Sequence, residues 1–165
     1  MPELFSLLPA DGPADALDEG RQLYAFLIGD WEMDSTWYPE EGDLRRAKGE
    51  WRSAWILGGR GVQDLLFAKD ASPDLYGTTV RCYDHSIDAW RVVWMQPGGG
   101  EFVTQIGRRV EDEVVQEGQA IDGSSLQRWT FSEITEDGFR WCAESSRDAG
   151  RTWRLDQEMR GRRMR

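Results

Sequence analysis

From Trp31 onward the chain reads as short aromatic and β-branched runs, with turn residues separating them every ten residues or so. Within the runs, polar and apolar positions alternate, which is the period of a strand with two unlike faces. Ten strands are predicted, over 31–38, 44–57, 61–69, 77–84, 89–96, 101–110, 113–121, 125–135, 138–146 and 151–162. Connections such as HSID, PGGG, ED, EDG and DAG are two to five residues long, so they join antiparallel neighbours and rule out parallel crossovers. An open meander of ten strands would leave two bare edges, so the pattern predicts an all-β fold closed into an up-and-down barrel.

Ahead of the strands the spacing changes. Leu17, Leu23, Phe26 and Leu27 fall near helical intervals and Gly29 supplies a stop, so a short helix is expected over 14–28. The organisation expected is one domain over 1–165: a leader over 1–13, the helix, and a barrel over 30–162.

Alternation separates the strand faces without saying which is inside. Arg81 and Tyr83 share one face of their strand, opposite Val80 and Cys82, while Arg128 shares a face with Leu126 and Thr130, opposite Trp129 and Phe131. Nine tryptophans among 165 residues is dense for an ordinary core. Flat side chains lining a cavity account for that density, and so does scattered packing of the wall and ends.

Composition narrows the partners. Thirty acidic against twenty basic residues give a net charge of −10, which repels nucleic acid and anionic membrane surfaces. No run of eighteen apolar residues occurs, and the first residues lack the charged and apolar regions of a secretory leader, so a cytoplasmic protein without membrane insertion is expected. Cys82 and Cys142 have no metal-ligand spacing and are expected as free thiols.

Near the C-terminus, SRDAGRTW over 146–153 resembles the Asp-box repeated in sialidases and related propellers. A six-bladed propeller needs about twenty-four strands, more than this chain can supply. The stretch is therefore expected to be a structural hairpin turn: Asp148 accepts backbone N–H bonds, Ser146 ties the base, Gly150 takes a left-handed conformation and Trp153 packs beside it.

A helix leading into FLIGDW, then a meander with an arginine-bearing last strand, resembles the calycin superfamily of lipocalins, fatty-acid-binding proteins and nitrobindin-like barrels. The resemblance implies that Gly29 and Trp31, as the G-x-W motif, close one barrel end, with Arg154 or Arg160 laid across the indole. The order of FLIGDW, ILGGRGVQ, Tyr83-Asp84 and Trp90 with Trp94 is similar to an uncharacterised bacterial family of lipocalin-like domains, over residues 23–162. Nitrobindin-like relatives hold haem through a histidine on a late strand, and here the one histidine, His85, lies in the turn YDHSID.

Catalytic and metal sites are not marked. Zinc needs three or four ligands, generally including His or Cys, no G-x-S-x-G elbow accompanies His85, and LGGRG and PGGGE precede strands where a phosphate loop would open a helix. No cofactor is expected. The first reading is a barrel that binds a small apolar or amphipathic ligand, with Trp37, Trp55, Tyr83, Trp94, Trp129 and Trp141 as walls and Arg81, Gln105 and Arg128 as polar anchors. A cofactor-independent isomerase or cyclase is the alternative, with Glu144 and Glu158 as buried carboxylates beside an arginine. The third reading is an interaction protein, such as a homodimer joined through an aromatic barrel face.

Overall fold

The computed structural model describes residues 4–165; residues 1–3 of the expected leader lie outside the described residues. After a single helical turn, α1 (Leu4–Leu7), comes a two-residue strand, β1 (Pro9–Ala10), and then ten long strands. These are β2 (Gly29–Trp37), β3 (Arg45–Ile56), β4 (Gly61–Ala68), β5 (Gly77–Asp84) and β6 (Ala89–Gln96). They continue as β7 (Glu101–Val110), β8 (Glu113–Ala120), β9 (Leu126–Ser132), β10 (Gly138–Ser146) and β11 (Arg154–Arg163).

Each long strand pairs antiparallel with the next, and β11 returns to pair with β2 through Met159 opposite Ser35 and Arg163 opposite Trp31. The result is a closed ten-stranded up-and-down barrel without a free edge, as the short connections predict. β1 adds to β3 where that strand outruns β2, with Pro9 opposite Ile56 and Ala10 opposite Trp55. A register shift in β10 between Ala143 and Glu144 marks a bulge beside β11.

The predicted helix over 14–28 does not form. Residues 15–24 run as a series of turns, ending in one 3-10 turn at Ala25–Leu27. Successive backbone bonds are short-range, such as Leu17 N–H to Ala14 O, Arg21 N–H to Asp18 O and Leu27 N–H to Tyr24 O. Gly20 weakens a continuous helix by about 1 kcal/mol, and so short a helix needs tertiary packing to persist. Here packing selects the turns, which drive Leu17, Leu23, Tyr24 and Leu27 into the barrel base, each buried.

That base is solid. Tyr24 meets Trp90 edge-on at 5.2 Å, and Trp31 meets Phe139 at 4.8 Å. Phe139 in turn lies 5.6 Å from Phe131 and 5.8 Å from Trp51. Ring pairs at these spacings and tilts add to the burial term. The indole of Trp31 donates to Leu27 O at 2.8 Å and that of Trp90 to Arg21 O at 2.8 Å, so both polar edges are satisfied.

The guanidinium across Trp31 belongs to Arg163, 4.1 Å above the ring, and not to Arg154 or Arg160. Arg163 donates to Ile28 O at 2.8 Å, Phe26 O at 3.1 Å and Glu136 O at 2.7 Å, pinning the N-terminal turns to the base. Gly29, at φ +116°, makes room for it: a Cβ there would lie 2.7 Å from Arg163 Nη1. Strand parity explains the correction. Arg160 stands opposite Asp34 with its side chain outside, paired to Glu133 at 2.9 Å. Arg154 lies at the other barrel end, bonded to Tyr38 O and Asp156.

Candidate functional site

With the base filled, space remains at the opposite end, where the turns after β2, β4, β6, β8 and β10 lie. A chamber of about 510 Å³ opens there, walled by Trp37, Trp51, Leu66, Trp94, Trp129 and Trp141 and floored by Thr79 and Arg81. Its lip includes Gly100–Val103, Ala120–Asp122, Asp156 and Gln157. That volume lies within the roughly 300–1,000 Å³ of small-molecule sites. The far edge of the Trp94 ring reaches β5 at Gly77, where a Cβ would come 1.9 Å from it. Its indole N–H reaches Glu101 at 3.2 Å, which orients the ring at the lip.

Beneath the tryptophans lies a polar layer. Asp64 and Arg81 form an ion pair at 2.5 Å with side chains 0 % and 1 % exposed. Asp64 also accepts the Thr79 backbone N–H at 2.8 Å. Arg81 Nε donates to Gln116 at 3.3 Å, and Gln116 donates on to Gln105 at 3.0 Å. The guanidinium carbon lies 5.0 Å from the Tyr24 ring centre and 5.9 Å from that of Trp51. Burial holds the Tyr24 hydroxyl well above its ordinary pKa, so it stays protonated. Among the described residues, five buried side-chain polar atoms have no hydrogen-bond partner: Tyr24 Oη, Trp51 Nε1, Ser53 Oγ, Gln105 Nε2 and Trp141 Nε1.

The structure thus brings together Trp37, Arg81, Trp94, Trp129 and Trp141 of the nine residues proposed from sequence. The other four lie elsewhere. Trp55 is buried at the closed end, opposite Val62 and Ala10. Tyr83 sits at the rim of the base, where its hydroxyl accepts from Arg21 Nε at 2.8 Å and donates to the Asp88 carboxylate. Gln105 lies in the polar layer below the chamber. Arg128 is outside, paired to Glu117 at 2.8 Å and stacked on Trp153 at 3.9 Å. Its neighbour Trp129 takes the inward position, so the face opposite Arg128 is the interior one.

Glu144 and Glu158 are also on the outer wall. Glu158 pairs with Arg140 at 2.7 Å, and Glu144 stands opposite Arg128 and Leu155. A carboxylate that is fully buried inside the barrel is Asp64, which is not among the residues expected from sequence. One signal could have found it: in GVQDLLFAK, Asp64 shares strand parity with Val62 and Leu66, an acid in an apolar row. Trp51 and Thr79, also missed, carry no such mark.

In the final hairpin, Ser146 donates to Asp148 at 2.8 Å and accepts the Gly150 N–H at 2.9 Å. Asp148 accepts from the backbone and hydroxyl of Thr152 at 2.8 and 2.7 Å. These bonds, the Thr152 backbone N–H foremost, hold its carboxyl down at about 2. Ala149 and Gly150 are both left-handed, at φ +60° and +83°. Trp153 donates to Gly150 O at 3.2 Å and packs under Arg128. Cys82 and Cys142 are free, with burial pushing both thiols up. Among the described residues no cluster of three or more His, Cys, Asp or Glu is placed to hold a metal ion. No helix there is long and apolar enough to cross a membrane.

No protein-family model matches the chain, and no curated protein matches it in sequence. Solved structures do. The chain is similar to the S-type phycobiliprotein lyase CpeS from Guillardia theta, at 8 % identity and a TM-score of 0.59, over 87 % of this chain and 92 % of that one. It is also similar to Rv2717c from M. tuberculosis, at 15 % identity and a TM-score of 0.64, over 90 % and 99 % of the two chains. At such identities the likeness speaks for the fold, and with the strand order above it makes this chain a calycin-like, ten-stranded antiparallel barrel.

Proposed function

We propose that the protein binds a small hydrophobic or amphipathic molecule in the open half of the barrel. The observation that carries this reading is the chamber of about 510 Å³ with five tryptophans in its lining. A barrel needing only stability would fill that space, because interiors pack close to crystal density. This one fills its base with Tyr24, Trp31, Trp90, Phe131 and Phe139 and leaves the other end hollow. A phycobiliprotein lyase on a similar barrel is in keeping with a small-molecule role. The reading takes residues 1–165 as one lipocalin-like domain working in the cytoplasm. Binding is favoured over cofactor-independent catalysis, because Glu144 and Glu158 face away from the chamber and Asp64 is already held by Arg81 and Thr79.

Titration with 1-pyrenebutanol, followed by energy transfer from tryptophan to pyrene, tests the reading. Saturable one-to-one binding is expected. Ala143 faces the chamber, so Ala143→Phe should weaken binding at least about tenfold while leaving the circular dichroism spectrum unchanged. No binding, or equal binding by the narrowed variant, would refute it.

A further inference from the structure

Resting on the binding reading above, we infer that the ligand is an amphipath with an anionic end, held apolar end inward with its anion outside the chamber on Arg45 and Arg46. Two independent observations lead there. The first is that charge inside the barrel is already balanced. Arg81 is matched by Asp64 at 2.5 Å, and both side chains are at most 1 % exposed. A second anion beside them would be a buried charge without a counter-charge, which proteins avoid. The ligand part that reaches the floor is therefore uncharged, and any charge stays at the lip.

The second observation concerns the lip itself. A second hollow of about 500 Å³ adjoins the chamber and shares Trp37, Leu66, Trp94, Glu101 and Gln157 with it. Arg45 and Arg46, the first two residues of β3, border this hollow and are exposed. Neither has an ion-pair partner among the described residues, although the chain has thirty acidic side chains to offer. Of the carboxylates at the lip, Asp156 is ion-paired to Arg154, Glu101 accepts from the neutral Trp94 indole, and Asp122 accepts the Ser124 backbone N–H and does not border the second hollow. Glu41 and Asp43 in the adjoining turn border neither hollow. Two arginines without an ion-pair partner, consecutive in β3 and so on opposite faces of its end, thus border the hollow at the entrance to an apolar chamber. They offer forked donors to a carboxylate, sulfonate or phosphate. The net charge of −10 repels anions at long range, so this preference acts only within a Debye length of about 10 Å.

Three probes sharing one apolar body test the orientation: 1-pyrenebutyrate, 1-pyrenebutanol and 4-(1-pyrenyl)butyltrimethylammonium. At low salt the butyrate should bind about fivefold more tightly than the butanol, the scale of two exposed charge contacts, and the ammonium most weakly. Arg45→Gln/Arg46→Gln, both at exposed sites, should equalise butyrate and butanol while leaving butanol affinity and melting temperature unchanged. Added salt should erase the wild-type preference likewise. A butyrate no tighter than the butanol, or a preference that survives in the double variant, overturns the inference; butanol binding in either case leaves the chamber reading standing. Failure of all three probes to bind overturns both.

Discussion

Asp64→Leu should be among the most damaging single substitutions in the chain. The ion pair with Arg81 is sealed, at 0 % and 1 % side-chain exposure, so water cannot replace the lost carboxylate. Removing one member of a buried pair costs about 3–5 kcal/mol, mostly because the remaining charge is stranded. The Thr79 N–H, bonded to Asp64 at 2.8 Å, loses its acceptor as well. A loss of about 4 kcal/mol follows, against a total stability of about 5–15 kcal/mol for a domain. For a chain of 165 residues that lowers the melting temperature by about 8–16 °C. Urea unfolding followed by tryptophan emission gives the free energy. The companion Asp64→Leu/Arg81→Met removes both charges and keeps the volume apolar, so it should recover at least half of the loss, about 2–3 kcal/mol relative to Asp64→Leu. The reasoning is wrong if the single substitution costs less than about 1 kcal/mol, or if the double variant is no more stable than Asp64→Leu.

Other consequences follow from the two barrel ends. Arg163→Ala removes the guanidinium over Trp31 and three carbonyl bonds, and should cost about 3 kcal/mol by chemical denaturation. Arg160→Ala, at an exposed pair, should change stability by no more than about 0.5 kcal/mol in the same assay. At the open end, the folded Asp148 carboxyl titrates at about 2 against about 4 unfolded, so its contribution is complete above pH 4 and disappears as pH falls through 2. Asp148→Asn should therefore melt below wild type at pH 7, and the gap should close near pH 2; a gap independent of pH would show that the carboxylate charge contributes nothing.

Strand period and connection length made the barrel legible, because both act locally: alternation marks each strand, and two-to-five-residue turns leave antiparallel pairing as the remaining choice. The expected strands 77–84, 89–96 and 101–110 coincide with β5, β6 and β7. What the pattern lacked was parity relative to the axis. Within β9, Arg128 and Trp129 are equally good strand residues, and only closure of the barrel turned the tryptophan inward. The same gap misplaced the closing arginine. β11 carries Arg154, Arg160, Arg162 and Arg163, and the pairing of β11 with β2 sets Arg163 opposite Trp31. The helix over 14–28 failed for a different reason: its spacing is real, but the apolar residues serve as a plug, and long-range burial outweighed a marginal local preference. Asp64 was visible as an acid in an apolar row, yet its partner Arg81 lies 17 residues away on the next strand.

The central claim, that a ligand enters the tryptophan chamber, is tested most directly by the indole ¹⁵N–¹H spectrum during titration with 1-pyrenebutanol. Nine indole signals are available. Trp37, Trp51, Trp94, Trp129 and Trp141 line the chamber, while Trp31, Trp55, Trp90 and Trp153 do not. The account predicts saturable shifts confined to the first five. Shifts centred on Trp153, on the outer wall, or on Trp31 and Trp90 in the base would contradict it.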